Sequence, residues 1–335
     1  TVRLLVNKTG YQWTCSKFKK NNRGACLFLS ACSVQQSAKF SVIELQAAMP
    51  DNLNNFCIFK EKMDFNIRLG NGQILRGFIR SPGSGLKAVV ILVHGLGEHV
   101  QRYRDLSEFL AGNGIGFAGV DLPGHGRSDG KKGHIRSYRL TDEMIDILVA
   151  ECKKTFPGTP VILYGHSMGG GILLDYILRK KPRVKAAVVT SPWLKLSFEP
   201  ERSKVKMAAF MKNILPSLVQ PSGLITDHLT HDKDVVKAYN VDPLVHDRIS
   251  VSLFSEAMKA GEYAIGNAGS LTVPVLLMHG SNDMICSPDG SREFAAGTKL
   301  ADLKIWNGGY HELHNELFRE DFLGYIINWI NARLE

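Results

Sequence analysis

An α/β architecture, a mostly parallel sheet flanked by helices, is what this sequence of 335 residues predicts. Three observations carry the expectation: short apolar runs of buried-strand type, helical patterns alternating with them, and a tight-turn tripeptide between the first two strands. The tripeptide is Gly70-Asn71-Gly72, and the extended runs 62–69 and 73–79 on either side of it should form an antiparallel hairpin.

Six more strands are expected at Ala88–Val93, Ile115–Val120, Val161–Tyr164, Ala186–Thr190, Val273–Met278 and Leu303–Trp306. These runs are mostly apolar, as strands covered on both faces must be. Helical patterns occupy 102–111, 138–154, 169–180, 288–296 and 316–333. Strand, helix and strand in turn imply parallel neighbours joined by crossovers, so the expectation is one sheet of eight strands. One interval breaks the alternation. Between Thr190 and Val273 lie about 80 residues without a clear strand, where Val205, Ala208, Met211, Leu215 and Leu218 fall at helical spacing. An insertion of roughly residues 193–265 is therefore expected as a helical cap over the carboxyl edge of the sheet; additional packing on the core is the plainer reading.

Hydrophobic residues make up 44% and charged residues 22%, which suits a globular enzyme and argues against wholesale disorder. No run approaches the length of a spanning helix. The formal charge of +9 is unevenly distributed. Arg3, Lys8, Lys17, Lys19, Lys20, Arg23 and Lys39 face a single acid, Glu44, so residues 1–48 carry +6 of it. The body has no basic face beyond a modest cluster near 195–212, which disfavours a nucleic-acid partner. Cys15, Cys26, Cys32, Cys57, Cys152 and Cys286 show no metal-ligand spacing and are expected as free thiols. Residues 1–48 are expected as a basic leader or disordered extension, with residues 49–335 as the folded domain. Leu29-Ser30-Ala31-Cys32 looks like a lipoprotein cleavage box, and a transit-like segment or a start at Met49 are the alternatives.

The chemistry begins at Gly165-His166-Ser167-Met168-Gly169, a G-x-S-x-G pattern that follows an apolar strand and opens a helix. That context is the strand-turn-helix elbow the motif needs. The glycines let neighbouring backbones approach, and the serine stands at a helix amino end that favours developing negative charge. A serine hydroxyl needs a base, and the base an orienting acid, in the chain order serine, acid, histidine for this arrangement. Asp283 lies in the loop after the strand ending at Met278, and His311 lies in the loop after Trp306. Both loops belong at the sheet edge that carries the elbow. His314 is the second candidate base, whereas His279 reads as a packed or hydrogen-bonding residue, Asp121 as part of a structural turn and Asp289 as a helix cap. For the oxyanion, the backbone N–H of Met168 and that of Leu96, in the loop after Ala88–Val93, are expected donors. Gly114 to Gly119 fits G-x-G-x-x-G but leads into a strand, and His311-Glu312-Leu313-His314 spaces its histidines one short of a zinc helix. Neither a cofactor nor a metal is implied.

Five ordered segments carry a family resemblance: HGLGEHVQRY at 94–103, DLPGHGRSDG at 121–130, GHSMGGG at 165–171, HGSNDMICS at 279–287 and YHELHNE at 310–316. Together, over roughly residues 60–335, they resemble the monoacylglycerol lipase and lysophospholipase group of the α/β-hydrolase superfamily. The resemblance implies an α/β-hydrolase fold, Ser167, Asp283 and His311 as the triad, and Leu96 and Met168 as oxyanion donors. It favours His311 over His314 as base and makes the insertion a cap around an acyl tunnel. It also implies a serine hydrolase cleaving carboxylic esters of single-chain lipids, monoacylglycerol or lysophospholipid, through an acyl-serine intermediate. The alternatives on the same scaffold are a short-chain carboxylesterase, an aminopeptidase and a non-catalytic ligand receptor. Lys195, Arg202, Lys204, Lys206 and Lys212 outnumber Glu199 and Glu201 in the insertion, which suits either peripheral contact with an anionic membrane surface or a solvated helix face. A cytoplasmic or peripherally membrane-associated location follows from that reading.

Overall fold

In a computed structural model of the chain, the described residues are 62–198, Met211 and 214–335, together with the backbone of four short strands in residues 1–57. Those four strands form two antiparallel pairs, Arg3–Leu5 with Val42–Glu44 and Lys17–Lys20 with Cys26–Leu29. A separate compact unit runs from Ile58 to Glu335.

The second unit is built on one sheet of eight strands. They are β1 Lys62–Arg68, β2 Ile74–Arg80, β3 Ala88–Val93, β4 Ile115–Val120, β5 Val161–His166, β6 Ala186–Thr190, β7 Val275–Gly280 and β8 Ala301–Trp306. Their spatial order is β8-β7-β6-β5-β3-β4-β2-β1. The hairpin β1–β2 and the pair β2–β4 are antiparallel, and every other neighbouring pair is parallel. This is the α/β-hydrolase fold. From β3 the chain continues to β4 on one side and from β5 to β6 on the other, so the strand order reverses between β3 and β5, and ligands of open α/β sheets bind at such a point, at the carboxyl ends of the strands.

Residues of β3, β4, β5, β6 and β7 are buried along their whole length, because helices cover both faces. One core layer joins alternate strand residues such as Val89, Ile91, Leu163 and Leu277 to helices α2 (Arg139–Thr155) and α3 (Met168–Lys180). The opposite layer joins Val90, Leu92, Ile162, Val188 and Leu276 to α1, Arg104–Gly112, and to the carboxyl-terminal helix, Arg319–Leu334. The period of two along each strand thus divides one apolar run between two cores.

Between β6 and β7 the insertion holds helix α4, Lys233–Val241, and helix α5, Val251–Gly266. It also contains a small antiparallel ribbon, Val219–Pro221 with Arg248–Ser250, where the sequence suggests no strand. Val205 and Ala208 of the expected amphipathic segment, and Arg202, Lys204, Lys206 and Lys212 of the basic cluster, lie outside the described residues. Helix α6, Pro288–Ala296, follows β7, with Ser287 rather than Asp289 as its cap: the serine side chain accepts from the Asp289 N–H. The carboxyl-terminal helix is α7. Among the described residues no helix is long and apolar enough to cross a membrane.

Candidate active site

The elbow places Ser167 at the amino end of α3 in a backbone conformation that side chains seldom adopt, with φ of 55° and ψ of −122°. Such a conformation is costly and persists only when its surroundings enforce it. Here the enforcement is a set of backbone hydrogen bonds: Ser167 N–H donates to the Thr190 carbonyl at 3.0 Å, and the Ser167 carbonyl accepts from Gly171 and Trp193 at 3.1 and 2.9 Å. A Cβ on residue 169 would collide with the Val93 carbonyl, and one on residue 165 would stand 2.7 Å from the Gly169 carbonyl. Glycine at both positions is what lets the turn nest against β3.

Asp283 follows β7 and His311 follows β8, and the fold brings both to the serine. The His311 Nδ1–H donates to Asp283 Oδ2 at 2.7 Å, leaving Nε2 to accept from the Ser167 hydroxyl at 2.8 Å. All three residues are buried, with Ser167 the most accessible at 8%. Burial alone would push the Asp283 carboxyl up. The neighbouring His311 and His279 rings outweigh it and hold the group well below the usual carboxylate range. Burial would likewise lower His311, but the Asp283 carboxylate reverses the sign and raises it above the ordinary imidazole value.

His279 is the hydrogen-bonding residue of its two expected readings, and one of its partners is Asp283. Its Nε2–H donates to the same Oδ2 of Asp283 at 3.0 Å and to the Cys286 carbonyl at 3.0 Å, while its Nδ1 meets Ser291 Oγ at 2.7 Å. The other carboxylate oxygen accepts from the Ile285 and Cys286 N–H groups at 2.8 and 3.0 Å. Asp283 is therefore held from four sides. His314, the second candidate base, stacks on Tyr103 at 4.8 Å and abuts His166 at 5.0 Å. Burial lowers it to about 4, and neither of its ring nitrogens has a hydrogen-bond partner among the described residues. Asp121 behaves as a turn residue, accepting from the Val100 and Arg127 N–H groups.

The loop after β3 is fixed by a buried ionic group that the sequence reading did not assemble. Glu98 accepts from the Gly95 N–H at 2.6 Å, the Tyr103 hydroxyl at 2.8 Å and Arg102 at 2.8 Å. Arg102 then forks onto Glu312 at 2.6 and 2.8 Å, next in sequence to His311. Burial would raise the Glu312 carboxyl, yet the Arg102 guanidinium holds it well below the usual range. The group links the loop of Leu96 to the loop of His311. Glu98 and Arg102 stand four apart in HGLGEHVQRY, but nothing local in the sequence points to Glu312 as their partner. Leu96 is half-buried on that loop and Met168 is buried at the start of α3; a Cβ on neighbouring Gly95 would lie 3.2 Å from Ser167 Cβ. Cys286 is buried as a free thiol, and burial raises it well above an ordinary thiol. Among the described residues no group of three or more His, Cys, Asp or Glu could hold a metal ion.

A buried serine, histidine and aspartate at the carboxyl edge of this sheet define a protein of the α/β-hydrolase class. The chain belongs to the Hydrolase_4 family, described as serine aminopeptidase, S33, whose model matches residues 84–317. It is 36% identical over 253 residues to an uncharacterised abhydrolase domain-containing protein of Dictyostelium discoideum, covering 74% of this chain and 27% of that protein's length. It is 31% identical to a monoacylglycerol lipase of Mycolicibacterium smegmatis over 257 residues, 76% of this chain and 91% of the relative. Among solved structures, a Paleococcus ferrophilus monoacylglycerol lipase matches with a TM-score of 0.69 and 33% identity, over 82% of this chain and 98% of that one. The resemblance to the monoacylglycerol lipase and lysophospholipase group holds on these grounds.

Proposed function

We propose that this hydrolase cleaves the carboxylic ester of a single-chain lipid, monoacylglycerol in the first place, with Ser167 as nucleophile, His311 as general base and Asp283 as orienting acid. The observation that carries the reading is the hydrogen-bonded relay from Ser167 Oγ to His311 Nε2 at 2.8 Å and from His311 Nδ1 to Asp283 at 2.7 Å. In the forward step Ser167 Oγ bonds to the ester carbonyl carbon while His311 accepts its proton. The oxyanion draws on the N–H groups of Leu96 and Met168, each such donor being worth roughly 10²–10³ in rate in other enzymes. Collapse breaks the carbon–oxygen bond to the alcohol, which takes the proton from His311. Water then attacks the acyl-serine with His311 again accepting a proton, releasing the fatty acid and restoring Ser167.

The lipid assignment draws support from relatives named as monoacylglycerol lipases and from the insertion. Phe198, Ile214, Leu215, Leu218 and Ile225 are all exposed there, at 46–57%. Such a surface suits a cap that meets a lipid aggregate and passes an acyl chain inward. The experiment is a turnover profile over monoacylglycerols from short to long chains, beside a lysophospholipid series and an aminoacyl amide. The expected optimum lies at long chains on glycerol esters. Activity confined to short esters, or to the amide, would overturn the lipid assignment while leaving the triad intact.

A further inference from the structure

A second set of contacts joins the loop of His311 to the insertion. Glu316 is buried, with 1% exposure. Its carboxylate accepts from the Tyr310 N–H at 2.8 Å, immediately before the base, and from the Leu317 N–H at 3.3 Å. The remaining donors come from the insertion: His231 Nδ1 lies 3.0 and 3.1 Å from the two carboxylate oxygens, and the His231 N–H at 3.4 Å. The His231 ring lies on the Tyr310 ring at 3.7 Å between centroids. Two flanking bonds reinforce the pairing. Glu312 N–H donates to the Leu229 carbonyl at 2.7 Å, and Thr230 Oγ1 donates to the Asn315 carbonyl at 2.8 Å. Residues 229–231 and 310–316 are thus laced together over their whole length.

We propose that Glu316 is a positioning residue for His311, and that His231 makes the insertion part of the support for the catalytic base. The Gly309–Tyr310 peptide is held at both ends: its carbonyl accepts from the Asn282 N–H of the Asp283 loop at 3.0 Å, and its N–H donates to Glu316, whose only side-chain partner among these contacts, His231, comes from the insertion. The base loop is therefore held correctly when segment 229–231 is seated, and acyl transfer is coupled to the seating of the insertion. The inference rests on His311 acting as the base, as proposed above.

The test uses the full chain with His231→Ala, His231→Asn, His231→Phe and Glu316→Gln. Asparagine puts an amide nitrogen where Nδ1 stands, whereas phenylalanine keeps only the ring. The His231 side chain is 40% exposed, so its replacement opens no core cavity. For His231→Ala the expected result is a fall in kcat of about tenfold, short of the roughly 10²-fold that a full 1 Å misplacement costs, with KM within about twofold. The rate of fluorophosphonate reaction at Ser167 should fall in step. His231→Asn should recover most of the loss and His231→Phe little of it. Glu316→Gln should match or exceed His231→Ala; should it fail to fold, the His231 series decides alone. Folded His231 variants with unchanged kcat, a loss confined to KM, or rescue by phenylalanine but not asparagine would overturn the proposal. Turnover surviving in Ser167→Ala would instead remove the reading of the site itself, and so the two failures are distinguishable.

Discussion

The carboxyl edge of the sheet and the insertion above it are built on opposite principles. At the edge, charge is buried and paired: Arg102 lies between Glu98 and Glu312, and Asp283 is held by two imidazoles and two backbone N–H groups. In the insertion, apolar surface is left in water, with Ile214 exposed at 57% and Val241 at 74%. Burying charge costs several kcal/mol per ion unless every partner is in place, so the edge tolerates little change. Exposed leucines and isoleucines contribute almost nothing to folding and stay free for another surface. On the proposed function, the contrast is a division of labour between fixed chemistry at the edge and adjustable selection in the insertion.

Asp283→Asn should break the rigid half most severely. By removing the carboxylate that pairs with His311 Nδ1, it should lower kcat by roughly 10⁴ at every acyl length, as loss of the orienting carboxylate does in other triads. A dependence of that loss on chain length would mean that edge and insertion are not separable. The double change Leu215→Ser and Leu218→Ser should act on the other half alone. Turnover of long-chain monoacylglycerol presented in vesicles is expected to drop by about tenfold, while short soluble esters and the melting temperature stay put, since exposed substitutions alter stability by no more than about 0.5 kcal/mol.

The smallest effect is one of stability. Burial, with Asp175 nearby, raises Asp142 on α2 to about 6. A carboxyl raised on folding favours the folded state only while protonated. Its penalty appears as pH rises past about 4, the unfolded value, and is complete above about 6. Asp142→Asn should therefore stabilise the protein by about 1–3 kcal/mol at pH 7, and the gain should vanish near pH 4 in melting experiments. An equal gain at both pH values would contradict the assignment.

The contrast also explains what could be read from the sequence. The five strands buried along their whole length, β3 to β7, leave short apolar runs, and the partly exposed β1 and β2 are marked by the Gly70-Asn71-Gly72 turn between them; all eight strands were legible, with small errors at their ends. The run from Val273 begins as a strand only at Val275, because Pro274 offers its carbonyl to Ala187 but has no N–H to pair. That Ser167, Asp283 and His311 meet in space was legible because a hydrogen-bonded serine, histidine and acid on this fold occur in a fixed chain order. Helices α4 and α5 were not. Beyond Val251 and Leu253 at its start, the buried face of α5 is made of small residues, Ser252, Ser255, Ala257, Ala260, Gly261 and Ala264, which carry little hydrophobic signal yet allow close approach to Leu194. Long-range partners such as Arg102 and Glu312, 210 positions apart, have no local signature at all.

The most direct test of the central claim is to react the intact protein with a fluorophosphonate and locate the adduct by peptide mass spectrometry. The account predicts one adduct, on Ser167, forming faster as pH rises through the elevated titration of His311, absent in Ser167→Ala and strongly slowed in His311→Ala. A folded protein that takes no label, or that carries it on another residue, would contradict it.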